Sequence, residues 1–375
     1  MCYNARTMSL FGGLKKSSYL GVDIGSQGLK VVELSNEKSR AKLLTYGYSE
    51  QPPGFQAQGA SLIDDPPAAA RLLSQVCKKA GTTSTRAVAA LPVSSLFSTI
   101  IAVPRRANEK EIKPLIDSQI AKLAPLPLAE MVTYSTFIDD IKSANKKDKK
   151  DNDPKKKERN YVRVLVTGGA KSLIQKYIEI FRLAKLELLS IDAEPFALIR
   201  SLVGKDKTPI AVVDIGDRRT NITIIEKGIP FLTRSIHLGG SAVTKRIMEQ
   251  MAVPEDQALQ IKADLGALAV GATAGGMPKV LESVMQPIVN EIRYAFQLYA
   301  NMELTDMKKV EKVILTGGSS HLPHVPEYFS ETLNLNVYRG DPWARVMYPT
   351  DLRPVLDEIG PRLSIAIGLA MRDIE

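Results

Sequence analysis

The tripeptide Asp-Ile-Gly occurs at Asp23-Ile24-Gly25 and again at Asp214-Ile215-Gly216, each time at the end of an apolar run and before a tight turn. Glycine in such a turn lets backbone approach a phosphate, and its successive N–H groups form a cradle for an anion. An aspartate at the strand end can hold Mg²⁺ through its water shell, because that ion dehydrates reluctantly. One Asp-x-Gly carries no weight, since ordinary hairpins contain it. Two copies in matching strand–turn–strand settings point to an internal duplication and to a polyphosphate clamped from both sides. A third segment, Thr316-Gly317-Gly318-Ser319, follows another apolar run, where paired glycines would let a base or ribose lie on bare backbone. Gly239-Gly240, just before an expected helix at Ser241, would aim helix N–H groups at an anion or else form a plain loop.

These residues need elements to hold them. The opening YLGVDIGSQGLKVVELS from Tyr19 reads as strand, turn and strand, with a third strand over 42–49. A Pro/Gly-rich loop over 51–67 follows, then a helix with Ala69, Leu72, Leu73 and Val76 at inner spacing and a short strand over 87–91. The texture then changes. Residues 99–103 read as a strand, Asn108 as the cap of a helix facing inward through Ile112, Leu115, Ile116 and Ile120, and 132–138 and 161–167 as a strand pair. A helix over 172–184 and a strand over 187–191 complete what reads as an inserted α+β module. PIAVVDIGDRRTNITIIE, from Pro209, restates the opening theme. Helices over 241–250, 255–263 and 278–301, a strand over 312–316 and a last helix over 363–371 follow. The expected domains are a flexible leader (1–17), a first lobe (18–94 with 351–375), the module (95–191) and a second lobe (192–350).

Composition narrows the chemistry. The 375 residues are 44% hydrophobic and 24% charged, as in an ordinary globular chain of two or three domains. Two cysteines and three histidines exclude a disulfide scaffold and leave little for a metal enzyme. No apolar run approaches the roughly 18 residues of a membrane span, and the N-terminus lacks a signal peptide's apolar core, so a cytoplasmic location is expected. The net charge of +9 is local: residues 142–160 carry nine Lys/Arg against four Asp/Glu, leaving +4 for the rest. That stretch reads as a solvated, disordered hairpin tip, and no nucleic-acid partner is inferred. Cys77 reads as core, Trp343 as packing, and His321 and His324 as loop residues.

The ordered set Asp23-Ile24-Gly25, Asp214-Ile215-Gly216 with Thr220, and Leu315-Thr316-Gly317-Gly318 resembles the two phosphate motifs and the adenosine motif of the actin/Hsp70/sugar-kinase ATPase superfamily. Within it, DIGSQGLKVVELS, LPVSSLFSTIIAVP, EIKPLIDSQIAKLAPLPLAE and LLSIDAEPFALIRSL resemble the PilM family of type IV pilus assembly proteins, and more distantly FtsA, from about Ser18 to Glu375. The resemblance implies an α/β fold of two duplicated ribonuclease-H-like lobes in actin-like arrangement, with an FtsA/PilM-type inserted α+β subdomain. It implies ATP and Mg²⁺ as cofactors. Asp23, Gly25, Ser26 and Lys30 would form the first phosphate motif, and Asp214, Gly216, Asp217 and Thr220 the second, with Asp23 and Asp214 holding Mg²⁺ through water. Gly317, Gly318 and Ser319 would meet adenosine, with Lys262, Glu291 and Arg293 nearby. Asp192 and Glu194 in the first connecting segment are candidates to position a water, and Gly368 falls in the second. Two departures stand out: Gly28 replaces a frequent hydroxyl residue, and Arg218-Arg219 makes the second turn unusually basic.

The resemblance further implies a pilus assembly adaptor in which a cleft beside the module takes the cytoplasmic N-terminal peptide of the inner-membrane protein PilN. Such docking would hold the chain at the inner face of the cytoplasmic membrane, beside the assembly ATPases and the platform protein. ATP hydrolysis, self-association and the particular pilus system stay open. The alternatives are an FtsA-like filament-forming division protein and a small-molecule kinase of the same superfamily.

Overall fold

The computed structural model describes residues 17–25, 28–49, 61–105, 109–139, 160–268 and 277–374. The expected leader up to residue 16, Ser26, the Asn108 cap and residues 142–159 of the Lys-rich stretch lie outside the described residues.

The first lobe opens with strands β1 (Ser18–Gly25), β2 (Gly28–Asn36) and β3 (Ala41–Tyr48). Nearly every residue of β1 and β2 is buried, as expected of strands covered on both faces. Helix α1 (Pro66–Ala80) starts where Asp65 accepts the Ala68 N–H and Pro66 sets the first turn. It stops at Gly81, whose φ of 68° is the left-handed cap glycine favours. Strand β4 (Arg86–Leu91) then lies parallel to β1.

The module comprises β5 (Phe97–Pro104), α2 (Glu109–Leu123), β6 (Met131–Phe137) and β7 (Tyr161–Ala170), with sheet order β5-β7-β6. Its own core includes Ile101, Val103, Ile112, Ile116, Ile120, Val162, Val164 and Val166. It ends sooner than the expected 191. Helix α3 (Lys171–Leu183) buries Tyr177, Ile180 and Phe181 against α1 and β1, and β8 (Glu187–Ala193) pairs with β4. A helix and a strand following a hairpin look alike in either unit, and only the long-range pairing assigns them to the first lobe.

Helix α4 (Glu194–Leu198) runs into a π-helical turn, Ile199–Val203. The second lobe carries β9 (Ile210–Ile215), β10 (Thr220–Glu226) and β11 (Ile229–Ile236), helices α5 (Gly240–Met251), α6 (Glu255–Leu268) and α7 (Lys279–Asn301), strand β12 (Lys312–Thr316), helix α8 (Val325–Leu333) and strand β13 (Asn336–Arg339). The chain returns through β14 (Val346–Met347), which adds to β3, and α9 (Arg353–Ala370), which packs on β1 and β2. Helix α9 begins ten residues before the expected Leu363 because Pro354 lies in its first turn and Pro361 is accommodated inside it. The carbonyl of Pro361 instead accepts the Gly317 N–H at 3.0 Å.

Among the described residues the two large sheets share one plan. The orders are β14-β3-β2-β1-β4-β8 and β11-β10-β9-β12-β13: an antiparallel meander of three strands, then two strands added in parallel. The duplication read from the two Asp-Ile-Gly turns is thus a duplication of whole lobes. Between them, α4 and α9 cross so closely that a Cβ on Gly368 would lie 1.9 Å from the Ala197 carbonyl oxygen. Gly21 lets β1 approach α9 in the same way, 1.9 Å from the Ala366 oxygen.

Candidate functional site

Both turns sit at strand ends that the fold brings close enough for Asp23 and Asp214 to act on the same Lys30. In the first hairpin Gly25 pairs with Gly28, which places Lys30 opposite Asp23 across β1 and β2. The Lys30 ammonium donates to Asp23 Oδ2 at 2.8 Å. In the second hairpin the Gly216 N–H donates to the Arg219 carbonyl at 3.0 Å, which places Asn221 opposite Asp214. Thr316, at the end of β12, pairs with Asp214 on the other side. Gly317 turns the chain there with φ 83°, and a Cβ on it would stand 2.4 Å from Asp214 Oδ1. Only glycine lets the third motif lie this close to the aspartate.

Glu194, buried at the start of α4, completes the cluster and accepts the Val93 N–H at 2.9 Å. Three carboxylates, Asp23, Asp214 and Glu194, thus act on one ammonium, Lys30. Burial alone would lower the Lys30 pKa, but Asp23, reinforced by Asp214 and Glu194, holds it above its ordinary value. Burial first, then the charge of Asp23, pushes Glu194 up to about 8, although the Val93 N–H and Lys30 oppose the shift. Burial and Asp23 likewise push Asp214 up to about 6 against the pull of Lys30. The cluster thus holds three carboxylates against a single ammonium, a surplus of negative charge in a buried place.

On the side expected to meet adenosine, the structure brings together Gly240, Lys262, Gly318, Ser319 and Arg362. The Lys262 ammonium donates to the Gly240 carbonyl at 2.6 Å and is lowered by burial, with Asp217 opposing and Arg362 adding to the effect. Ser319 Oγ donates to the Gly216 carbonyl at 3.1 Å, and Gly318 faces the Arg362 side chain. The structure uses the start of α5 differently from the expectation. The N–H groups of Gly240 and Ser241 donate to the Gly216 and Asp217 carbonyls, so they tie α5 to the second hairpin. Gly239 is required there, because a Cβ would meet the Asp217 oxygen at 2.5 Å. Thr220 is buried and donates to the Leu238 carbonyl at 2.7 Å, a structural bond.

Other expected residues stand apart from the cluster. Asp192 pairs with Arg200 of the π-helical turn, and Arg200 Nε donates to the Gly368 carbonyl at 2.7 Å, so Asp192 braces the crossing of α4 and α9. Glu291 pairs with Arg234 of β11, whose guanidinium lies 4.8 Å from the Tyr294 ring centre, and Arg293 donates to the Thr332 carbonyl. Trp343 is buried and donates to the Leu356 carbonyl, as expected of a packing residue. Sequence reading missed Asn221, whose buried Oδ1 has no hydrogen-bond partner among the described residues; the expected Asp217 is present with its Oδ2 likewise unpartnered among them. Asn221 was findable, because it follows Asp214 by the same interval at which Lys30 follows Asp23.

A groove of about 560 Å³ lies beside this cluster. Val93 to Ser98 form its floor, Leu123, Pro125 and Leu126 one wall, and Thr233 and Ser235 of β11 the other. It therefore lies between the module and the second lobe, and its first floor residue is the one whose N–H binds Glu194. Among the described residues no helix is long and apolar enough to cross a membrane.

Comparison with solved structures shows the same architecture. A structure described as the PilM-PilN type IV pilus biogenesis complex superposes with a TM-score of 0.77 at 23% identity, over 96% of this chain and 100% of that one. The ethanolamine utilization protein EutJ of Carboxydothermus hydrogenoformans gives 0.52 at 18% identity, over 96% and 91% of the two chains. MreB5 of Spiroplasma citri, bound to AMPPNP, gives 0.51 at 10%, over 94% and 95%. The fold is the actin-like ATPase fold. Among curated proteins, the cell division protein FtsA of Bacillus subtilis is 24% identical over 200 residues, 46% of this chain and 43% of FtsA. FtsA of Neisseria meningitidis serogroup B is 25% identical over 228 residues, 55% and 53% of the two chains. The chain thus spans about half the length of the curated relatives it matches. A family profile described as type IV pilus assembly protein PilM matches residues 21–374, and the chain belongs to that family.

Proposed function

We propose that this chain is an ATP-binding adaptor of the type IV pilus assembly machine, which docks the N-terminal peptide of a PilN-type inner-membrane protein and responds to nucleotide. The observation that carries the reading is the bond from Val93 N–H to Glu194. It ties the floor of the groove to the charge cluster that would receive nucleotide and metal.

The residues present fit Mg²⁺-ATP. Lys30 and the backbone of the two hairpins would meet phosphate oxygens, Asp23 and Asp214 would hold the ion through water, and Gly317, Gly318, Ser319 and Lys262 would line the nucleoside side. Mg²⁺ would supply neutralisation of polyphosphate charge. Asp214 and Glu194 carry raised pKa values without it, so each holds a proton more readily than an ordinary carboxyl. The groove has an apolar wall in Leu123 and Leu126, a hydroxyl-bearing wall in Thr233 and Ser235, and a size suited to a few peptide side chains. Docking there would recruit the protein to the inner face of the cytoplasmic membrane, near the assembly ATPases and platform protein.

Calorimetric titration with the PilN N-terminal peptide from the same genome, with and without Mg²⁺-ATP, tests the reading. Micromolar or tighter binding that shifts with nucleotide is the expected result. No binding in either state, with ATP-dependent pelleting of the protein, would replace the adaptor with an FtsA-like filament.

A further inference from the structure

The module is threaded into the first lobe but fastened to the second. Its two covalent links, after β4 and before α3, both join first-lobe elements. Among the described residues its apolar core draws on no first-lobe residue, whereas Ile100 of β5 and Ile138 pack against the second-lobe core. The polar fastening is Arg163 of β7, a buried arginine whose guanidinium is saturated. Its Nε and Nη2 donate to Asp139 of the module, and its Nη1 donates to the Leu304 carbonyl at 2.8 Å and to Asp306 at 3.0 Å, both of the second lobe. Nη2 also reaches the second Asp306 oxygen at 3.2 Å. Asp306 is itself anchored: Lys227 donates to it at 2.6 Å, and its N–H donates to Glu226, a fully buried carboxylate that also accepts the Tyr299 hydroxyl at 2.6 Å. The aspartates on each side are therefore held by their own domains, and the guanidinium between them is the pin.

A buried ion pair of this kind is costly to break, because each partner left behind is a desolvated charge. The links to the first lobe look different. One is Pro92–Leu96, where the 3-10 turn Val93–Ser95 joins β4 to β5; the other passes through Gly168-Gly169 near the end of β7, where Gly169 pairs with β6 and a Cβ on it would stand 2.5 Å from Leu91 Cδ1. A short turn at one crossing and a glycine pair near a strand end at the other are where a hinge bends most easily.

We propose that the module is a strap across the inter-lobe cleft: Arg163 makes it move with the second lobe, so that rotation of the lobes is taken up at Pro92–Leu96 and Gly168-Gly169. Motion of the nucleotide cleft is thereby converted into bending of the Val93–Ser98 groove floor. This rests on the reading that nucleotide moves the lobes, but the fastening itself is testable without ligand.

The test is pulsed electron–electron distance measurement on full-length protein, spin-labelled in pairs at the exposed sites Lys79→Cys (first lobe), Lys122→Cys (module) and Glu331→Cys (second lobe), in a Cys2→Ser background. In ligand-free protein the 122–331 distribution is expected to be narrower than the 79–122 distribution, and Asp306→Asn is expected to about double its width. Asp306→Asn leaves the Arg163–Asp139 pair inside the module, so the module's own fold is retained; Arg163→Gln, which strips both sides, should widen it further. With Mg²⁺ and AMPPNP, the 79–122 and 79–331 distances should change together while 122–331 stays fixed. A 122–331 distribution as broad as 79–122 in the parent protein, or one unmoved by Asp306→Asn, overturns the strap. Nucleotide binding measured on the same samples separates that failure from a failure of the nucleotide reading, because the ligand-free arm does not depend on it.

Discussion

The two hairpins at the cleft share a plan and differ at one register position. Opposite Asp23 stands Lys30, which pairs with it; opposite Asp214 stands Asn221, whose Oδ1 has no partner among the described residues. The first hairpin therefore brings its own cation and offers an ammonium to an anion. The second brings a carboxylate with no cation of its own strand pair, raised to about 6 by burial and by Asp23. The two halves keep the same turn and ladder and differ at this cross-strand site; on the proposed nucleotide reading, the first would add an ammonium for phosphate oxygens to an ion held by both aspartates. Chemical asymmetry in a clamp does not require asymmetric backbone.

Removing the first hairpin's cation should have the largest effect. Lys30→Met leaves Asp23 buried without its partner, and a broken buried pair costs about 3–5 kcal/mol. Urea titration should register that loss, and nucleotide affinity should fall roughly tenfold to a hundredfold, the worth of a charge-assisted hydrogen bond. Unchanged affinity would mean that the two hairpins are not functionally distinct. Gly317→Ala comes next, because φ 83° and the 2.4 Å approach to Asp214 Oδ1 oppose any side chain. A cost of about 1–3 kcal/mol is expected from backbone strain alone, read as a lower melting temperature.

The carboxylate surplus predicts a pH effect of known sign. Glu194 and Asp214 have folded pKa values of about 8 and about 6 against ordinary values of 4.5 and 3.8. The folded protein keeps protons that the unfolded chain has released, so ligand-free stability should fall as pH rises from about 4 to 8, by at most about 1.4 kcal/mol per pH unit for each retained proton. Glu194→Gln keeps an acceptor for the Val93 N–H but cannot ionise, and should flatten the melting profile above pH 6. A profile as steep as the parent's would remove Glu194 from the cluster. The smallest effect is expected from Asn221→Lys, which gives the second hairpin the pattern of the first. Affinity for nucleotide without Mg²⁺ should rise, and its Mg²⁺ dependence should shrink several-fold; an undiminished dependence would refute the division of labour between the hairpins.

Much of this was legible in sequence because it is local. The spacing from Asp23 to Lys30 fixes a hairpin and its cross-strand pair, and the paired glycines at 317 and 318 mark a close approach by residue type alone. Glu194 could be nominated from its place in the order of motifs, but not its burial or its bond to Val93. Arg163 carried no signal, since it reads as one basic residue in an apolar strand, and its partners Asp139 and Asp306 become neighbours only through folding. The partner of β8 was hidden for the same reason. Strand β8 carries no local mark showing that it pairs with β4, and Asp192 carries none showing that Arg200 claims it.

Helix α9 bears on how the chain is made as well as on how it stands. The first lobe's sheet needs α9 against Tyr19, Val32 and Leu34, yet that helix is separated from β1 by the module and the entire second lobe. The second lobe's core draws chiefly on contiguous residues between Ala211 and Val337. During synthesis the second lobe can therefore close as it emerges, while the first exposes an apolar face until the distal helix arrives. Contacts this remote in sequence form slowly and leave aggregation-prone surface open in the meantime. The lobe that opens the chain is the one that finishes last, and it needs shielding throughout the translation of its twin.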